Sequence, residues 1–246
     1  MGFYEQIAPY YDLIFPAGRE QLEFIKKAAG GPPKKLLDVA CGAGTYAVEL
    51  AREGYEVWAT DLDEEMIRQT EIRAAAGKVA VKAEALDMLK LNELSADQFD
   101  CLFCIGNSIV HLGSKDAILD ALRKMKGKLC ENGSLLLQII NFDRILSKGI
   151  TSLPSILNPE AGMEFHRNYS YDAPTGLIHF NTVLRVSRGK EWDQYSNSIK
   201  LFPLISSDLQ DLLERAGFGT IDCYGGFRYE PYDPGESYLL VIRAAI

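Results

Sequence analysis

The distribution of apolar positions divides the first part of the chain into short strands and amphipathic helices. Apolar runs of strand length predict buried strands at residues 35–40, 56–60, 79–83, 99–105 and 134–140. Helical spacing of apolar residues predicts helices that alternate with these strands, at 19–29, 46–53, 63–76 and 114–129. Because strands and helices alternate, we expect a parallel sheet whose helical crossovers cover both faces.

The pattern changes after residue 146. Apolar and polar positions alternate with period two over residues 164–171, 177–188 and 191–201, which predicts antiparallel strands joined in hairpins. A helix at 206–216 and two strands at 219–224 and 238–243 then resume the earlier pattern.

These elements predict an α/β protein. We expect a doubly wound, mostly parallel seven-stranded sheet and a small inserted antiparallel β-sheet. One domain is expected to comprise residues 1–147 and 203–246, with the insert at 148–202. Ligands of such sheets bind at the carboxyl ends of the strands, and we expect the insert to lie beside these ends.

A glycine-containing turn follows the first predicted strand. Gly42 and Gly44 let the backbone approach a ligand closely, and the helix that follows offers unpaired N–H groups to an anion. Asp61 ends the next strand, where a carboxylate can accept hydrogen bonds from ribose hydroxyls. The bound anion is either a pyrophosphate or the carboxylate of a methionine moiety, so two classes of ligand remain open.

The surroundings of this turn favour S-adenosylmethionine over a dinucleotide. The segment from Gly42 to Ala47 satisfies the G-x-G-x-x-G/A dinucleotide pattern, which on its own favours an NAD-dependent oxidoreductase. However, Asp38 lies just before the turn, where it would repel a pyrophosphate and attract an ammonium group. A dinucleotide fold would also continue with a second mononucleotide-binding half, whereas this chain continues with hairpins.

The motifs together resemble one family. The segment LLDVACGAG is similar to motif I (D-x-G-x-G-x-G) of the class I, Rossmann-like S-adenosylmethionine-dependent methyltransferases, with Ala40 in place of the first glycine. The segments ATDLDEEMI, EALDMLKL, FDCLFCIGNSIVHL, NGSLLLQIINFD and FPLISSDLQDLLERAGF resemble the later strands and helices of that family, and IAPYYDLIF resembles its leader. The resemblance implies an antiparallel last strand and methyl transfer that leaves S-adenosylhomocysteine, with no metal.

The resemblance also implies which residues hold the cofactor. Asp61 would bind the ribose, Asp87 would lie near the adenine amino group, and Met88 would lie beside the ring. Tyr11 and Arg19 would cover the methionine end. The full predicted cofactor set is Tyr11, Arg19, Ala40, Cys41, Gly42, Gly44, Asp61, Leu62, Met66, Asp87, Met88 and Ile105.

The predicted acceptor site follows the fourth strand. Asn107, Ser108 and His111 lie where the acceptor would meet the methyl group, and His111 is the histidine placed to act as a base. We predict Asn107 and His111 as the catalytic pair. Arg167 and Tyr169 of the insert are predicted to line the substrate pocket, beneath a lid that shapes specificity.

A closer similarity to glycine and sarcosine N-methyltransferases is carried by CIGNSIVHL and NFDRIL. In those enzymes an arginine just before the NFD-like triplet binds the substrate carboxylate. The matching position here is Ile139 or Ile140, which argues against amino-acid substrates. We therefore expect a small-molecule acceptor that is methylated on nitrogen or oxygen.

Composition narrows the remaining function classes. The net charge of -8 and the pI near 5.0 argue against nucleic acid as a partner. The sequence has neither a signal-peptide pattern nor an apolar segment long enough to span a bilayer, so we expect a cytoplasmic protein without membrane contacts, as a monomer or homodimer. A non-catalytic S-adenosylmethionine-binding module that regulates a partner is the second alternative.

The cysteines do not predict a redox or metal site. There are 5 of them, and Cys101 and Cys104 form a C-x-x-C within a predicted strand. Residues three apart on a strand point to opposite faces, so we expect their sulfur atoms to lie apart as buried thiols.

Overall fold

A computed structural model describes residues 10–189 and 191–246 of the chain, apart from the side chain of Asp12. Residues 7–9 of the predicted leader lie outside the described residues. The strands are β1 (Lys35–Val39), β2 (Glu56–Asp61), β3 (Val81–Ala85), β4 (Phe99–Cys104), β5 (Leu129–Ile140), β6 (Ser152–Asn158), β7 (Met163–Asp172), β8 (Leu177–Arg188), β9 (Glu191–Leu201), β10 (Thr220–Tyr224) and β11 (Leu239–Ala245).

The larger sheet has 7 strands in the order β10-β11-β5-β4-β1-β2-β3. The pairs β4–β1, β1–β2, β2–β3 and β4–β5 are parallel, whereas β11 runs antiparallel to both of its neighbours. This arrangement confirms the predicted doubly wound, mostly parallel sheet with an antiparallel last strand. Since β1 and β4 are adjacent although β2 and β3 follow β1 in sequence, the chain reverses direction across the sheet between them, which is where such folds bind ligands.

The helices cover both faces of this sheet. They are α1 (Tyr11–Ile14), α2 (Arg19–Ala29), α3 (Thr45–Arg52), α4 (Glu64–Gly77), α5 (Lys115–Lys128), α6 (Phe142–Lys148) and α7 (Ser206–Ala216), with 3-10 segments at Met88–Glu93 and Ile109–Leu112. Asp63 caps α4, because its carboxylate accepts the N–H of Glu65 at 2.9 Å. In the described part of the chain no helix is long and apolar enough to cross a membrane.

Two apolar layers form the core, one on each face of the larger sheet. Cys101 is fully buried in one layer and Cys104 is buried in the other. The prediction that these two thiols lie on opposite faces is therefore confirmed, and both are free.

Most element boundaries lie within two residues of the sequence prediction, and the larger differences are at β5 and α6. Strand β5 begins at Leu129 rather than at residue 134, and its register against β4 shifts between Phe99 and Cys101. Helix α6 was not predicted, because two turns are too short to reveal a helical period. It is capped by Asn141, whose side chain accepts the N–H of Arg144 at 3.2 Å.

The smaller sheet is antiparallel, in the order β6-β7-β8-β9. Three of its strands match the predicted hairpins, and β6 is an additional edge strand that contains Pro154. The sheet is tied to the rest of the molecule at both ends. Phe202 donates to the carbonyl of Val110 at 2.8 Å, and the ring of Phe15 packs edge-on against Phe165 at 6.1 Å. The division of the chain into two units at residues 147 and 203 stays a prediction.

Candidate active site

The turn between β1 and α3 has a backbone that favours glycine. Ala40, Gly42 and Gly44 have φ values of 59°, 55° and 70°, all in the left-handed region. A Cβ atom at Gly42 would collide with the hydroxyl of Tyr11, and one at Gly44 would collide with the side chain of Thr70. Ala40 therefore adopts a backbone conformation that favours glycine, the residue that the family motif has at this position.

Hydrogen bonds hold this turn against β2 and α4. Cys41 donates its N–H to the carbonyl of Thr60 at 2.9 Å. The hydroxyl of Thr70 donates to the carbonyl of Gly42 at 3.1 Å, and Nε of Arg73 donates to the carbonyl of Ala43 at 2.9 Å. These contacts hold the carbonyl groups of Gly42 and Ala43 towards α4. The turn is therefore fixed in position at the carboxyl ends of the strands.

Asp61 lies at the end of β2 and is bonded to the turn. Its Oδ2 accepts the N–H of Gly42 at 2.8 Å, and its Oδ1 accepts the N–H of Asp63 at 3.0 Å. Burial raises the pKa of this carboxyl, although both N–H bonds act to lower the pKa. Each oxygen keeps a second lone pair for a hydroxyl donor. Leu62 beside it is 73% exposed, whereas Met66 is 1% exposed and lies beneath the surface.

Asp38 is a buried carboxyl at the end of β1. It is 2% exposed, and its Oδ2 accepts no hydrogen bond from any described residue. Burial raises the pKa of Asp38 well above its ordinary value, and the nearby charge of Asp61 raises the pKa further. A buried carboxyl oxygen without a partner is costly, and a cationic ligand group would satisfy it. The pair Asp38 and Asp61 therefore fits a ligand that carries both a cation and hydroxyl groups.

The other predicted cofactor residues lie on elements that contact the turn or β2, or that follow β4. Gly18 donates to the hydroxyl of Tyr46 at 3.3 Å, so the exposed Arg19 at the start of α2 lies beside the first turn of α3. Leu86 donates to the carbonyl of Asp61 at 2.8 Å, which brings the partly exposed Asp87 and Met88 to the same edge. Asp87 also caps the segment Met88–Glu93. Ile105 follows β4 and is 9% exposed.

Asn107 lies after β4 in the left-handed region, with φ of 71°, a conformation that asparagine tolerates. Its Oδ1 accepts the N–H of Ile140 at 3.0 Å, and its own N–H donates to the carbonyl of Gln138 at 3.1 Å. The side chain of Gln138 accepts the N–H of Gly106 at 2.8 Å. Gln138 thus shapes this loop, and the sequence analysis missed it, although a glutamine inside the apolar run LLLQII is a recognisable signal.

His111 is the histidine nearest this loop, on the segment Ile109–Leu112. Burial lowers its pKa below the ordinary value, so the ring is neutral at neutral pH and able to accept a proton. Ser108 lies one turn earlier, with its hydroxyl 3.5 Å from the carbonyl of Ile105. The other two histidines, His166 and His179, lie on the smaller sheet and contact carboxylates of their own strands or hairpins.

Arg167 and Tyr169 lie on the face of β7 that looks into the molecule. Tyr169 is 5% exposed and packs against Phe180 at 5.5 Å between ring centres. Nη2 of Arg167 donates to the carbonyl of Pro154 at 2.6 Å. The hydroxyl of Tyr169 and the Nε of Arg167 are buried, and neither has a hydrogen-bond partner among the described residues. The described residues contain no group of His, Cys, Asp and Glu side chains arranged to hold a metal ion.

Comparison with known proteins agrees with this geometry. A family model described as a methyltransferase domain matches residues 36–133. The chain is 28% identical over 222 residues to a glycine/sarcosine N-methyltransferase of Aphanothece halophytica, which covers 89% of this chain and 80% of that protein. It is 30% identical over 250 aligned positions to a Geobacillus protein classed among the methyltransferases, which covers 98% of this chain and 99% of the relative.

Among solved structures, an S-adenosylmethionine-dependent methyltransferase of Clostridium acetobutylicum has the same fold. The TM-score is 0.83 at 15% identity, over 100% of this chain and 99% of the other. The fold, the glycine turn and the sequence relatives therefore all indicate a methyltransferase, and they argue against an NAD-dependent oxidoreductase. The chain belongs to the class I S-adenosylmethionine-dependent methyltransferases.

Proposed function

We propose that the crevice at the carboxyl ends of β1, β2 and β4 binds S-adenosylmethionine and methylates a small molecule on nitrogen or oxygen. The observation that carries this proposal is the pair of carboxyls at the glycine turn, of which Asp38 is buried and Asp61 is half-buried. Asp38 has an oxygen without a partner, and Asp61 has lone pairs beyond its two backbone bonds. An amino-acid ammonium and a ribose diol are complementary to these two groups.

Each part of the cofactor has residues suited to hold it. Asp61 would accept the ribose hydroxyls, and Asp87 would accept the adenine amino group. The exposed Leu62 and the partly exposed Met88 would flank the ring. Arg19 would pair with the methionine carboxylate beside the first turn of α3.

When bound, S-adenosylmethionine supplies a methyl group on a sulfonium, whose sulfur keeps the bonding electron pair when the methyl leaves. The protein must therefore align the acceptor and receive the proton that it loses. His111 is neutral at neutral pH and would take this proton from a hydroxyl or an ammonium. The Nδ2 of Asn107 would donate to the acceptor, because its Oδ1 is already bonded to Ile140.

The acceptor is proposed to be small and not a free amino acid of the glycine type. The relative from Aphanothece halophytica acts, by its name, on glycine and sarcosine, which supports a small molecule. However, Ile139 is fully buried and Ile140 is half-buried where those enzymes are expected to carry an arginine. Macromolecular acceptors of high negative charge are disfavoured by the net charge of -8.

Calorimetric titration with S-adenosylhomocysteine tests the cofactor site. Asp61→Asn is expected to weaken binding about tenfold to a hundredfold, because hydrogen bonds to a charged group contribute about 1.5–3 kcal/mol. Glu64→Gln, an exposed acid at the start of α4, is the matched control and is expected to bind like the wild type. Equal affinity of Asp61→Asn and the wild type would overturn the proposed site.

A labelled-methyl assay over a metabolite extract tests the reaction. We expect transfer of label from S-adenosylmethionine to a small molecule, and its loss in Asp61→Asn at low cofactor concentration. Tight binding of S-adenosylhomocysteine with no labelled product would instead identify a non-catalytic module.

A further inference from the structure

Three polar residues form a row across the face of the smaller sheet that looks into the molecule. Arg167 on β7 is the cross-strand partner of Thr182 on β8, which is the partner of Asn197 on β9. Thr182 is 3% exposed, although threonine prefers the surface. This row is therefore a polar stripe whose centre is buried.

Apolar rows border this stripe on both sides. Phe165, Leu184 and Tyr195 form the row on one side and pack with residues of α1. On the other side, Tyr169, Phe180 and Ile199 pack with the core of the larger sheet.

The two apolar rows connect the smaller sheet to the glycine turn on one side and to the segment that carries His111 on the other. Tyr11 belongs to the cluster that the first row joins, and its hydroxyl lies against Gly42 of the glycine turn. Val110, next to His111, belongs to the core that the second row joins. One row of the smaller sheet thus contacts the side of the glycine turn, and the other row contacts the side of His111. The polar stripe lies between these two rows.

The stripe carries a positive charge, and one unused donor lies within it and one in the row beside it. The Nε of Arg167 and the hydroxyl of Tyr169 are buried and have no partner among the described residues. None of the three rows contains an acidic residue, whereas Glu164 and Asp172 lie on the opposite face of β7. Buried donors beside an unpaired guanidinium are complementary to an oxyanion.

We propose that this stripe binds an oxyanion of the methyl acceptor, a carboxylate or a phosphate, with Arg167 as the residue that determines specificity. The inference rests on the proposed function, because it names the chemical class of the substrate for the same site. The guanidinium of Arg167 lies on the smaller sheet, whereas the substrate-binding arginine of glycine and sarcosine N-methyltransferases is expected just before the NFD triplet. The anionic group and the methylated atom are therefore spaced differently than in a glycine-type substrate.

The test compares Arg167→Gln with Arg185→Gln in labelled-methyl transfer. Arg185 is the matched control, since it lies on the other face of the same sheet, where it pairs with Glu164 at 2.8 Å and covers Trp192. A metabolite extract is separated on an anion-exchange resin, and both fractions are assayed. We expect label in the retained fraction, with KM for that acceptor raised about tenfold to a hundredfold in Arg167→Gln and unchanged in Arg185→Gln.

Tyr169→Phe is the second variant, for the case in which Arg167→Gln does not fold. It removes only a hydroxyl without a partner, so we expect unchanged stability and a raised KM for the retained acceptor. In all three variants the affinity for S-adenosylhomocysteine is expected to stay within twofold of the wild type. Phosphatase treatment of the retained fraction separates a phosphate acceptor, which loses its labelling, from a carboxylate acceptor, which keeps it.

Label only in the unretained fraction would overturn this inference while leaving the proposed function intact. The inference would also be overturned if Arg167→Gln and Tyr169→Phe both had the same KM as Arg185→Gln. Label in neither fraction, despite cofactor binding, would contradict the proposed function and this inference together.

Discussion

Asp38 is a single carboxyl whose ionisation is coupled to ligand binding. In the free protein, burial and the neighbouring Asp61 raise its pKa well above the ordinary value. A cationic ligand beside it favours the ionised form and lowers the pKa again. Binding should then release protons over the pH range above the ordinary carboxyl pKa, where the free protein still holds them.

We therefore predict that the affinity for S-adenosylhomocysteine rises with pH in that range. The measurement is calorimetric titration in two buffers with different enthalpies of ionisation, which reports the protons released. Asp38→Asn cannot release this proton, so it should lower affinity and flatten its pH dependence. A wild-type titration without proton release would show that Asp38 is already ionised.

His111 distinguishes nitrogen from oxygen methylation. Its pKa is lowered by burial, so the neutral ring is present above the ordinary histidine pKa and is lost only as pH falls through the lowered value. If the acceptor is a hydroxyl, His111→Asn should reduce kcat about a hundredfold to ten-thousandfold and abolish the acidic limb of the pH profile. For a neutral amine the reduction should be slight. His179→Asn on the smaller sheet is the control, and an acidic limb that persists in His111→Asn would exclude His111 as the base.

Ala40 is a strained residue, because its φ of 59° lies in the left-handed region. We predict that Ala40→Gly raises the free energy of unfolding by about 1 kcal/mol, since the left-handed region costs an L-residue about 1–2 kcal/mol. Ala43→Gly in the same turn is the control. This variant should lower the free energy of unfolding, because Ala43 is outside the left-handed region and its Cβ is buried. Chemical denaturation measures both, and an Ala40→Gly protein less stable than the wild type would contradict the prediction.

At the scale of elements, the glycine turn is braced by α4. Thr70 bonds the carbonyls of Gly42 and Met66 at 3.1 and 3.0 Å, so its side chain cannot rotate away without losing a contact. Thr70 also occupies the space next to Gly44. The turn therefore depends on two elements that are separated in sequence.

Gly44→Ala should consequently destabilise the protein by more than backbone strain alone. Gly149→Ala is the control, because Gly149 has a similar left-handed conformation with φ of 60° and nothing near its Cβ position. We expect about 1–3 kcal/mol for the strain at Gly149 and a larger loss at Gly44. An equal loss of unfolding free energy in the two variants would mean that the side chain of Thr70 can move aside without destabilising the protein.

For the whole molecule, the smaller sheet supports helix α1 where that helix contacts the glycine turn. Phe165 packs edge-on against Phe15, and Tyr11 of the same helix lies against Gly42. A side chain of the smaller sheet can thus influence binding at the larger sheet without touching the ligand.

We predict that Phe165→Ala weakens binding of S-adenosylhomocysteine by a coupling of about 0.5–2 kcal/mol. The reason is that Phe15 and Tyr11 lose the surface on which they rest. Tyr171→Ala is the control on the same strand, because Tyr171 is 60% exposed and outside this cluster. Titration calorimetry gives both affinities, and identical values would show that the two sheets bind independently.

Much of the fold was determined by local sequence patterns. The strands of the larger sheet follow from apolar spacing, and the caps at Asp63 and Ser114 are hydrogen bonds between residues two or three apart. The glycine turn was likewise recognisable, because backbone with positive φ restricts the residue type wherever it occurs. These features depend on residues that are neighbours along the chain.

Tertiary structure alone decided the features that depend on register and packing between distant elements. The short helix α6 and the edge strand β6 are stabilised by their neighbours rather than by their own periodicity. The missing partner of Asp38 and the alignment of Arg167, Thr182 and Asn197 arise only when strands pair, because a shift of one residue would turn each side chain to the other face. The sequence alone thus determined the family and the glycine turn, while the pairing of the strands decided which polar groups share one face of the smaller sheet.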